Sequence, residues 1–222
     1  MRIILILAAF ALGQALAVGQ NTLLTSTQEM HRVQQDSKAY IARLEDPMRD
    51  GYQKPAEVVK ALGIKEGEVI ADIGAGSGYF SFTLARAVGP SGRVYAVDVN
   101  VDMVRHMNRR IRDAKASNLV TVLCPFDDPL LADGAIDRVF ICDTWHHIEG
   151  HPKYLGLLKK ALKPGGQVVM VDFKKEKTPV GPPMEMRIER DDLVREMQAN
   201  GFALAAEHKF LEYQYFLVFR AK

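Results

Sequence analysis

The sequence has few cysteines and no marked excess of charge, and each shortage excludes a class of protein. Only two cysteines, Cys124 and Cys142, occur in 222 residues, so a disulfide framework does not hold this chain together. The formal net charge is +2, with 29 basic against 27 acidic residues, which gives no indication of a nucleic-acid partner. We interpret both cysteines as small buried residues of a fold that rests on its hydrophobic core.

The chain also lacks an apolar run long enough to span a bilayer comfortably. At its start, Arg2 precedes an apolar run over residues 3–12, and Ala15-Leu16-Ala17 forms a small-x-small cleavage pattern. We therefore expect residues 1–17 to be a signal-peptide-like segment. The protein would then be exported, or attached to a membrane through this segment if it is not cleaved. A cytoplasmic protein, whose apolar start is not used as a signal, is the alternative.

Composition and spacing divide the remaining residues into an arm and a domain. Residues 18–50 are polar, with apolar positions at helical spacing, and predict an N-terminal helical arm. Pro55 suits the first turn of a helix and Gly63 its end, so a helix is predicted between them. Because 48% of the residues are hydrophobic, the chain can bury one large core, and we expect a single domain over residues 51–222.

From residue 69 onward, short apolar runs alternate with helical segments. The runs "EVIADI", "RVYAVDV", "DRVFICD" and "GQVVMVDF" show no clear polar alternation, which predicts parallel strands covered on both faces. The terminal stretch "FALAAEHKFLEYQYFLVFRAK" contains two strand-like runs with no room for a crossover helix, so we expect an antiparallel hairpin at the edge of the sheet. The predicted fold class is therefore α/β, with a doubly wound, mostly parallel sheet.

A glycine-rich loop follows the first predicted strand, in "VIADIGAGSGYF". Ligands bind at such loops in doubly wound sheets, and glycines let a ligand approach the backbone closely. A phosphate-binding Walker A loop is excluded because no lysine follows Gly78. The dinucleotide spacing G-x-G-x-x-G also fits poorly, because Tyr79 stands where the third glycine belongs. The spacing present is D-x-G-x-G-x-G from Asp72, and Asp98 ends the next strand, where a carboxylate can bind both hydroxyls of a ribose.

With these motifs, the sequence resembles the class I S-adenosylmethionine-dependent methyltransferases, especially their small-molecule "methyltransferase domain" group. The glycine motif, "VYAVDVN", "AIDRVFICDTWHHI" and "LKKALKPGGQVVMVDF" are similar to four motifs of that family, in the same order. The resemblance covers the chain from about residue 52 to the end. It implies a seven-stranded sheet of order 3-2-1-4-5-7-6 with strand 7 antiparallel, and helices on both faces. It also implies S-adenosylmethionine as cofactor and a small-molecule methyl acceptor.

The resemblance further implies roles for individual residues. Asp72 would organise contacts to the amino group of the cofactor, Asp98 would hold the ribose hydroxyls, and Asp143 would line the cofactor and substrate side of the cleft. The implied cofactor-binding residues are Asp72, Gly74, Gly76, Gly78, Asp98, Val99, Asp127 and Asp143.

The segment after the third strand departs from the family pattern. The family usually places an acid there that bonds the adenine amino group, whereas this chain has Pro125, which offers neither a side-chain acceptor nor a backbone N–H. Asp127 or Phe126 would take over the adenine contact after a local shift, and Val99 or Asn100 would also lie near the adenine.

The segment "CDTWHHIEGH" concentrates ionisable side chains at the mouth of the predicted cleft. Imidazole titrates near neutral pH, so His146 and His147 are candidate catalytic bases. A base is needed only if the methyl acceptor must lose a proton. In the structural alternative, one histidine caps the following helix and the other packs beside the cofactor. We expect no metal site, because no ligand pattern such as H-E-x-x-H is present.

Residues 174–192 lie between the fifth strand and the next helix, where the resembled family carries substrate-facing loops. Met184, Met186 and Arg187 would form an adaptable wall of the substrate site, and a solvated connection is the alternative.

Other functions are compatible with parts of the sequence. A nicotinamide-dependent oxidoreductase would use the same sheet and Asp98, although the glycine spacing disfavours it. A non-catalytic S-adenosylmethionine-binding sensor would explain a cleft without an obligatory base. A protein or nucleic-acid methyltransferase is a further alternative, and the near-neutral charge opposes the nucleic-acid version.

Overall fold

The computed structural model describes residues 37–222. The predicted signal-peptide-like segment 1–17 lies outside them, as do residues 18–36 of the predicted arm. The described part of the arm contains helices α1 (Ser37–Leu44) and α2 (Arg49–Gln53). Ser37–Tyr40 belong to a first unit, and everything below concerns the second, Ile41–Lys222. No helix within residues 37–222 combines the length and apolar character needed to cross a bilayer.

A seven-stranded sheet forms the centre of the second unit. Its strands are β1 (Val69–Ile73), β2 (Arg93–Asp98), β3 (Leu119–Leu123), β4 (Ile136–Cys142), β5 (Leu162–Phe173), β6 (Phe202–His208) and β7 (Gln214–Ala221). They follow the order β3-β2-β1-β4-β5-β7-β6. The first five pair in parallel, and β7 runs antiparallel to both β5 and β6. The predicted strand order and the terminal hairpin are confirmed.

Helices cover both faces of this sheet, which explains why its strands lack polar alternation. They are α3 (Pro55–Ala61), α4 (Ser81–Val88), α5 (Val101–Ala114), α6 (His151–Ala161) and α7 (Arg190–Ala199). On one face, Ile73 packs in a core with Leu155 of α6 and Met197 of α7. On the other face, Ile70 packs in a core with Leu84 of α4 and Met107 of α5. The predicted helix between Pro55 and Gly63 is α3.

The carboxyl ends of the central strands bring four acids to one edge of the sheet. Asp72 lies in β1, Asp98 ends β2, Asp143 follows β4, and Asp172 is the last but one residue of β5. Parallel pairing of these strands is what places residues far apart in sequence at the same edge. Both cysteines are free thiols: Cys124 is buried as predicted, whereas Cys142, at the end of β4, is only partly buried.

Candidate active site

The loop after β1 turns sharply against the segment that follows β4. Gly74 and Gly76 have left-handed φ angles of 69° and 57°. The backbone N–H groups of Gly74 and Ala75 both donate to the carbonyl of Val97, at 2.9 and 3.0 Å. A Cβ atom at position 74 would lie 2.3 Å from the side chain of Thr144. The first turn of the loop therefore has room only for glycine.

Asp98 joins the end of β2 to this loop. Its Oδ2 accepts the N–H of Gly76 at 2.7 Å, and its Oδ1 accepts the N–H of Asn100 at 2.8 Å. Burial raises the pKa of Asp98, and the hydrogen bonds from the backbone oppose that rise. Both oxygens are held in place and retain lone pairs for further donors, such as ribose hydroxyls. Val99, the next residue, is 39% exposed.

Asp72 is buried between β1 and the start of α4. Its Oδ2 accepts a hydrogen bond from the hydroxyl of Ser81 at 2.6 Å. Burial raises the pKa of Asp72 to about 7, although the bond from Ser81 favours the charged form. A cation bound close to this carboxyl would favour its charged form, and an ammonium group is a suitable cation.

The arm before α3 lies on the glycine loop. A Cβ atom at Gly76 would lie 3.0 Å from a methyl group of Leu44. The guanidinium carbon of Arg49 is 4.1 Å from the ring centroid of Tyr79, and the hydroxyl of Tyr79 is hydrogen-bonded to Asp50. The end of α1 and helix α2 therefore cover the loop with contacts that the sequence did not predict.

Asp143 is held by two glutamine side chains. Gln53 of α2 donates to its Oδ2 at 2.6 Å, and Gln214 of β7 donates to its Oδ1 at 2.7 Å. Its φ of 50° is unusual for a residue with a side chain. Burial, followed by the charge of Asp172, raises the pKa of Asp143 to about 7. Asp143 therefore connects the arm and β7 to the end of β4.

The two candidate catalytic histidines have different surroundings. Nδ1 of His146 is 3.0 Å from Oδ2 of Asp172, and both side chains are only 3% exposed. The ring centroid of His147 lies 4.2 Å from that of His146. Loss of hydration around the ring, followed by the charge of the neighbouring His146, lowers the pKa of His147 to about 4, although the residue as a whole is exposed. His147 is therefore neutral at pH 7. Neither caps α6, whose N-cap residue is Gly150, and the capping alternative is wrong.

Asp127 lies on the exposed surface after β3. Its side chain is 65% exposed and accepts a hydrogen bond from Lys153 of α6 at 2.7 Å. Phe126, the other candidate for the adenine contact, is 57% exposed. The carboxylate of Asp127 is thus engaged with a lysine, whereas that of Asp98 is oriented by the glycine loop.

Several residues of this edge were missed by the sequence analysis. Asp172 had a usable signal, because it stands near the end of the apolar run "VVMVDF" just as Asp72 and Asp98 end theirs. Gln53 and Gln214 had none, because their shared partner Asp143 is 90 and 71 residues away. Within the described residues, no cluster of three His, Cys, Asp or Glu side chains is arranged to hold a metal ion.

These residues fit a nucleoside cofactor that carries a positive charge. The turn at Gly74 excludes a Cβ atom, Asp98 is oriented beside it, and a cation would favour the charged form of Asp72. The buried hydroxyl of Ser77, in the same loop, has no hydrogen-bond partner within residues 37–222. The strand order and this site together define a class I S-adenosylmethionine-dependent methyltransferase.

Comparison with known proteins identifies the family. A family model described as a methyltransferase domain matches residues 64–212, and the chain belongs to this family. Among solved structures, a SAM-dependent methyltransferase from Aquifex aeolicus superposes with a TM-score of 0.79 at 27% identity, covering 83% of this chain and 98% of that one. Geranyl diphosphate C-methyltransferase from Streptomyces coelicolor, solved with S-adenosyl-L-homocysteine, shares the fold, with a TM-score of 0.64 at 16% identity and coverage of 80% and 81%.

The similar curated proteins include quinone-pathway enzymes. The ubiquinone/menaquinone biosynthesis C-methyltransferase UbiE of Cellvibrio japonicus is 29% identical over 118 residues, which are 53% of this chain and 47% of that protein. UbiE of Pasteurella multocida is also 29% identical over 118 residues, with coverage of 53% and 44%. The chain thus spans about half the length of the curated relatives that it matches.

Proposed function

We propose that this protein transfers the methyl group of S-adenosylmethionine to a small-molecule acceptor by in-line displacement. The observation that carries the proposal is Asp98, whose carboxylate is oriented on the glycine loop by the N–H groups of Gly76 and Asn100. S-adenosylmethionine supplies a methyl group that is electrophilic because it is bonded to a sulfonium. The chain therefore has two main tasks, to align the reactants and to exclude water.

Each cofactor-binding residue has a physical reason for its role in this proposal. Asp98 holds the ribose hydroxyls with lone pairs that its backbone contacts leave available, and the adjacent Val99 offers apolar surface to the adenine. Asp72 accepts hydrogen bonds from the amino group, whose charge it balances. Gly74, Gly76 and Gly78 let the backbone approach the ribose. Asp143, which is held by Gln53 and Gln214, lines the substrate side of the cleft. Asp127 has the least support as a cofactor-binding residue, because its carboxylate is hydrogen-bonded to Lys153.

Two observations support a small acceptor. The curated relatives are named as C-methyltransferases of ubiquinone and menaquinone biosynthesis, which makes a carbon atom of a quinone precursor the first acceptor to test. The contacts of Leu44 and Arg49 with the glycine loop region show that the arm covers this part of the cleft, which favours an enclosed acceptor over a macromolecular one.

Calorimetry of the purified protein with S-adenosylmethionine, S-adenosylhomocysteine and NAD tests the cofactor. We expect the first two to bind and NAD not to bind, and binding of NAD alone would overturn the proposal. Asp98→Ala should weaken S-adenosylmethionine binding by about 1 to 3 kcal/mol, because a charged hydrogen-bond acceptor is lost. The matched change Asp133→Ala, at an exposed aspartate before β4 and away from the carboxyl ends of the strands, should leave the affinity within about twofold. Unchanged affinity in Asp98→Ala would show that the cofactor binds elsewhere.

Methyl transfer is measured separately, with methyl-labelled S-adenosylmethionine and a panel of quinone precursors. We expect the label to appear in a small-molecule product. Label that is transferred only to protein would contradict a small-molecule acceptor.

A further inference from the structure

Two pairs of a histidine with a carboxylate lie in and just after the short 3₁₀ helix Trp145–His147, which follows β4. Nδ1 of His146 lies 3.0 Å from Asp172, and Nδ1 of His151 lies 2.6 Å from Glu196. The pairs differ at the other ring nitrogen. Nε2 of His151 is 3.2 Å from the carbonyl of Trp145, whereas Nε2 of His146 has no hydrogen-bond partner within residues 37–222. Only the His146 pair keeps a ring nitrogen for a ligand.

Asp172 is oriented toward His146 and has no cationic lysine or arginine partner among the described residues. The whole residue is 2% exposed, and its Oδ1 accepts the backbone N–H of Phe173 at 2.8 Å. An ionised carboxylate only accepts hydrogen bonds, so the bond to Asp172 requires a proton on Nδ1 of His146. Whenever the imidazole is neutral, Nε2 therefore carries the lone pair, which is the form that a general base needs.

The position of His146 connects this pair to the cofactor cleft. Thr144, two residues earlier, is the side chain against which Gly74 of the glycine loop is packed. The side chain of His146 is only 3% exposed, so a proton acceptor at Nε2 would be shielded from bulk water.

We infer that Asp172 is a positioning residue that holds His146 in the Nδ1–H tautomer, so that Nε2 of His146 takes a proton from the methyl acceptor. This inference rests on the proposed function and deepens it. It assigns the acceptor to a class, namely molecules whose methylated atom must lose a proton, such as a phenol, an enol or the ring carbon of a phenol. Neighbouring His147 is a poor substitute, because its pKa of about 4 makes it a weak base.

The atoms and charges of this step balance. The electron pair of the acceptor atom forms the new bond to the methyl carbon, and the pair of the broken carbon–sulfur bond stays on sulfur. The proton of the acceptor moves to Nε2 of His146, and the resulting imidazolium is stabilised by the carboxylate of Asp172. The proton then passes to solvent, which restores the starting tautomer.

The tautomer is tested by NMR on the ¹⁵N-labelled full chain, with His146→Asn used to assign the signals. We expect His146 to be protonated on Nδ1 and unprotonated on Nε2. Asp172→Asn should increase the Nε2–H form, because an amide can donate to Nδ1. Glu196→Gln, which alters the other pair, should leave His146 unchanged. An Nε2–H tautomer in the wild type, or the same tautomer in Asp172→Asn, overturns the inference. The wild-type spectrum decides even if Asp172→Asn does not fold.

A kinetic measurement tests the consequence with hydroquinone as the acceptor. Asp172→Asn should lower kcat roughly 100-fold or more, while KM and the Kd of S-adenosylmethionine stay within about threefold. Asp172→Glu, which keeps the carboxylate, should recover part of the rate. An equal kcat in Asp172→Asn would contradict the role of Asp172. Failure of the wild type to bind S-adenosylmethionine would instead refute the proposed function, so the two failures are distinguishable.

Discussion

At the scale of single residues, Gly74 shows how little space the packed glycine loop leaves for a side chain. It shares a left-handed φ with Gly134, at 69° and 62°. An added Cβ would meet Thr144 at 2.3 Å in the first case and nothing within 4 Å in the second. We expect Gly74→Ala to destabilise the protein by about 2 kcal/mol more than Gly134→Ala, because the strain is common to both and the clash is not.

Chemical denaturation of both glycine variants measures this difference. The double variant Gly74→Ala, Thr144→Ala should recover part of the loss, because the clashing side chain is shortened. Equal destabilisation of the two single variants would show that Thr144 does not press on the loop.

Asp72 makes the stability of the folded protein decrease as the pH rises. The pKa of its carboxyl is raised by burial to about 7, from about 3.9 in an unfolded chain. Between these values the folded state binds more protons, so this contribution to stability is complete below about pH 4 and declines as the pH rises toward 7. Asp72→Asn should therefore raise the free energy of unfolding at pH 8 by on the order of 2 kcal/mol and weaken S-adenosylmethionine binding.

Denaturation at pH 5 and pH 8 tests this prediction, and calorimetry tests the loss of binding. Asp133→Asn is the matched control, because its exposed side chain has no buried charge to relieve. The prediction fails if Asp72→Asn has the same pH dependence as the wild type.

At the scale of elements, the segment between β5 and α7 is organised by one buried arginine. The three residues predicted to form one wall, Met184, Met186 and Arg187, do not share one surface. The methionines are 40% and 37% exposed, whereas Arg187 is only 6% exposed. The guanidinium donates to four backbone carbonyls of this segment, those of Lys174, Glu176, Val180 and Pro182. It also lies 5.1 Å from the ring centroid of Phe173.

Arg187→Lys keeps the charge but cannot reproduce the planar set of donors. We expect a loss of about 1 to 3 kcal/mol in the free energy of unfolding, together with faster proteolytic cleavage within residues 174–186. Limited proteolysis with mass spectrometry locates the cleavage. Arg195→Lys, at an arginine that is 69% exposed, should have little effect. Cleavage at the same rate in the two variants would contradict this role of Arg187.

At the scale of the whole molecule, the first seventeen residues lead to a proposal about where the protein is located. We propose that residues 1–17 direct it out of the cytoplasm, because a basic residue, an apolar run and a small-x-small pattern stand in the order of a signal peptide. S-adenosylmethionine is not made outside the cytoplasm, so an exported enzyme needs an external supply of cofactor.

Sequencing of the N-terminus of the protein from fractionated cells tests whether residues 1–17 direct export. We expect the mature chain to begin at Val18, and Ala17→Arg to leave the precursor uncleaved, because signal cleavage needs a small residue there. An intact Met1 in the soluble cytoplasmic fraction would contradict export.

The sheet, the glycine loop and the position of Asp98 could be predicted, because the sequence patterns that indicate them are local. Apolar runs such as "VIADI" predict buried strands, the terminal pair of runs leaves no space for a helix, and the glycine spacing can be counted. Asp98 was identified for the same reason, because it ends a recognisable strand beside the loop it supports. The path of the arm over the glycine loop had no such signal, since Leu44 and Gly76 are distant in sequence.

The sequence by itself determined the fold class, the strand order through its family motifs, and the acids that end β1 and β2. Only the tertiary structure decided which side chains become partners at the edge of the sheet. His146 meets Asp172 across 26 residues because β4 and β5 are neighbours, and Gln53 meets Asp143 across 90 residues because α2 lies near the end of β4. Such partnerships depend on the positions of whole elements, and they leave no periodic pattern in the sequence.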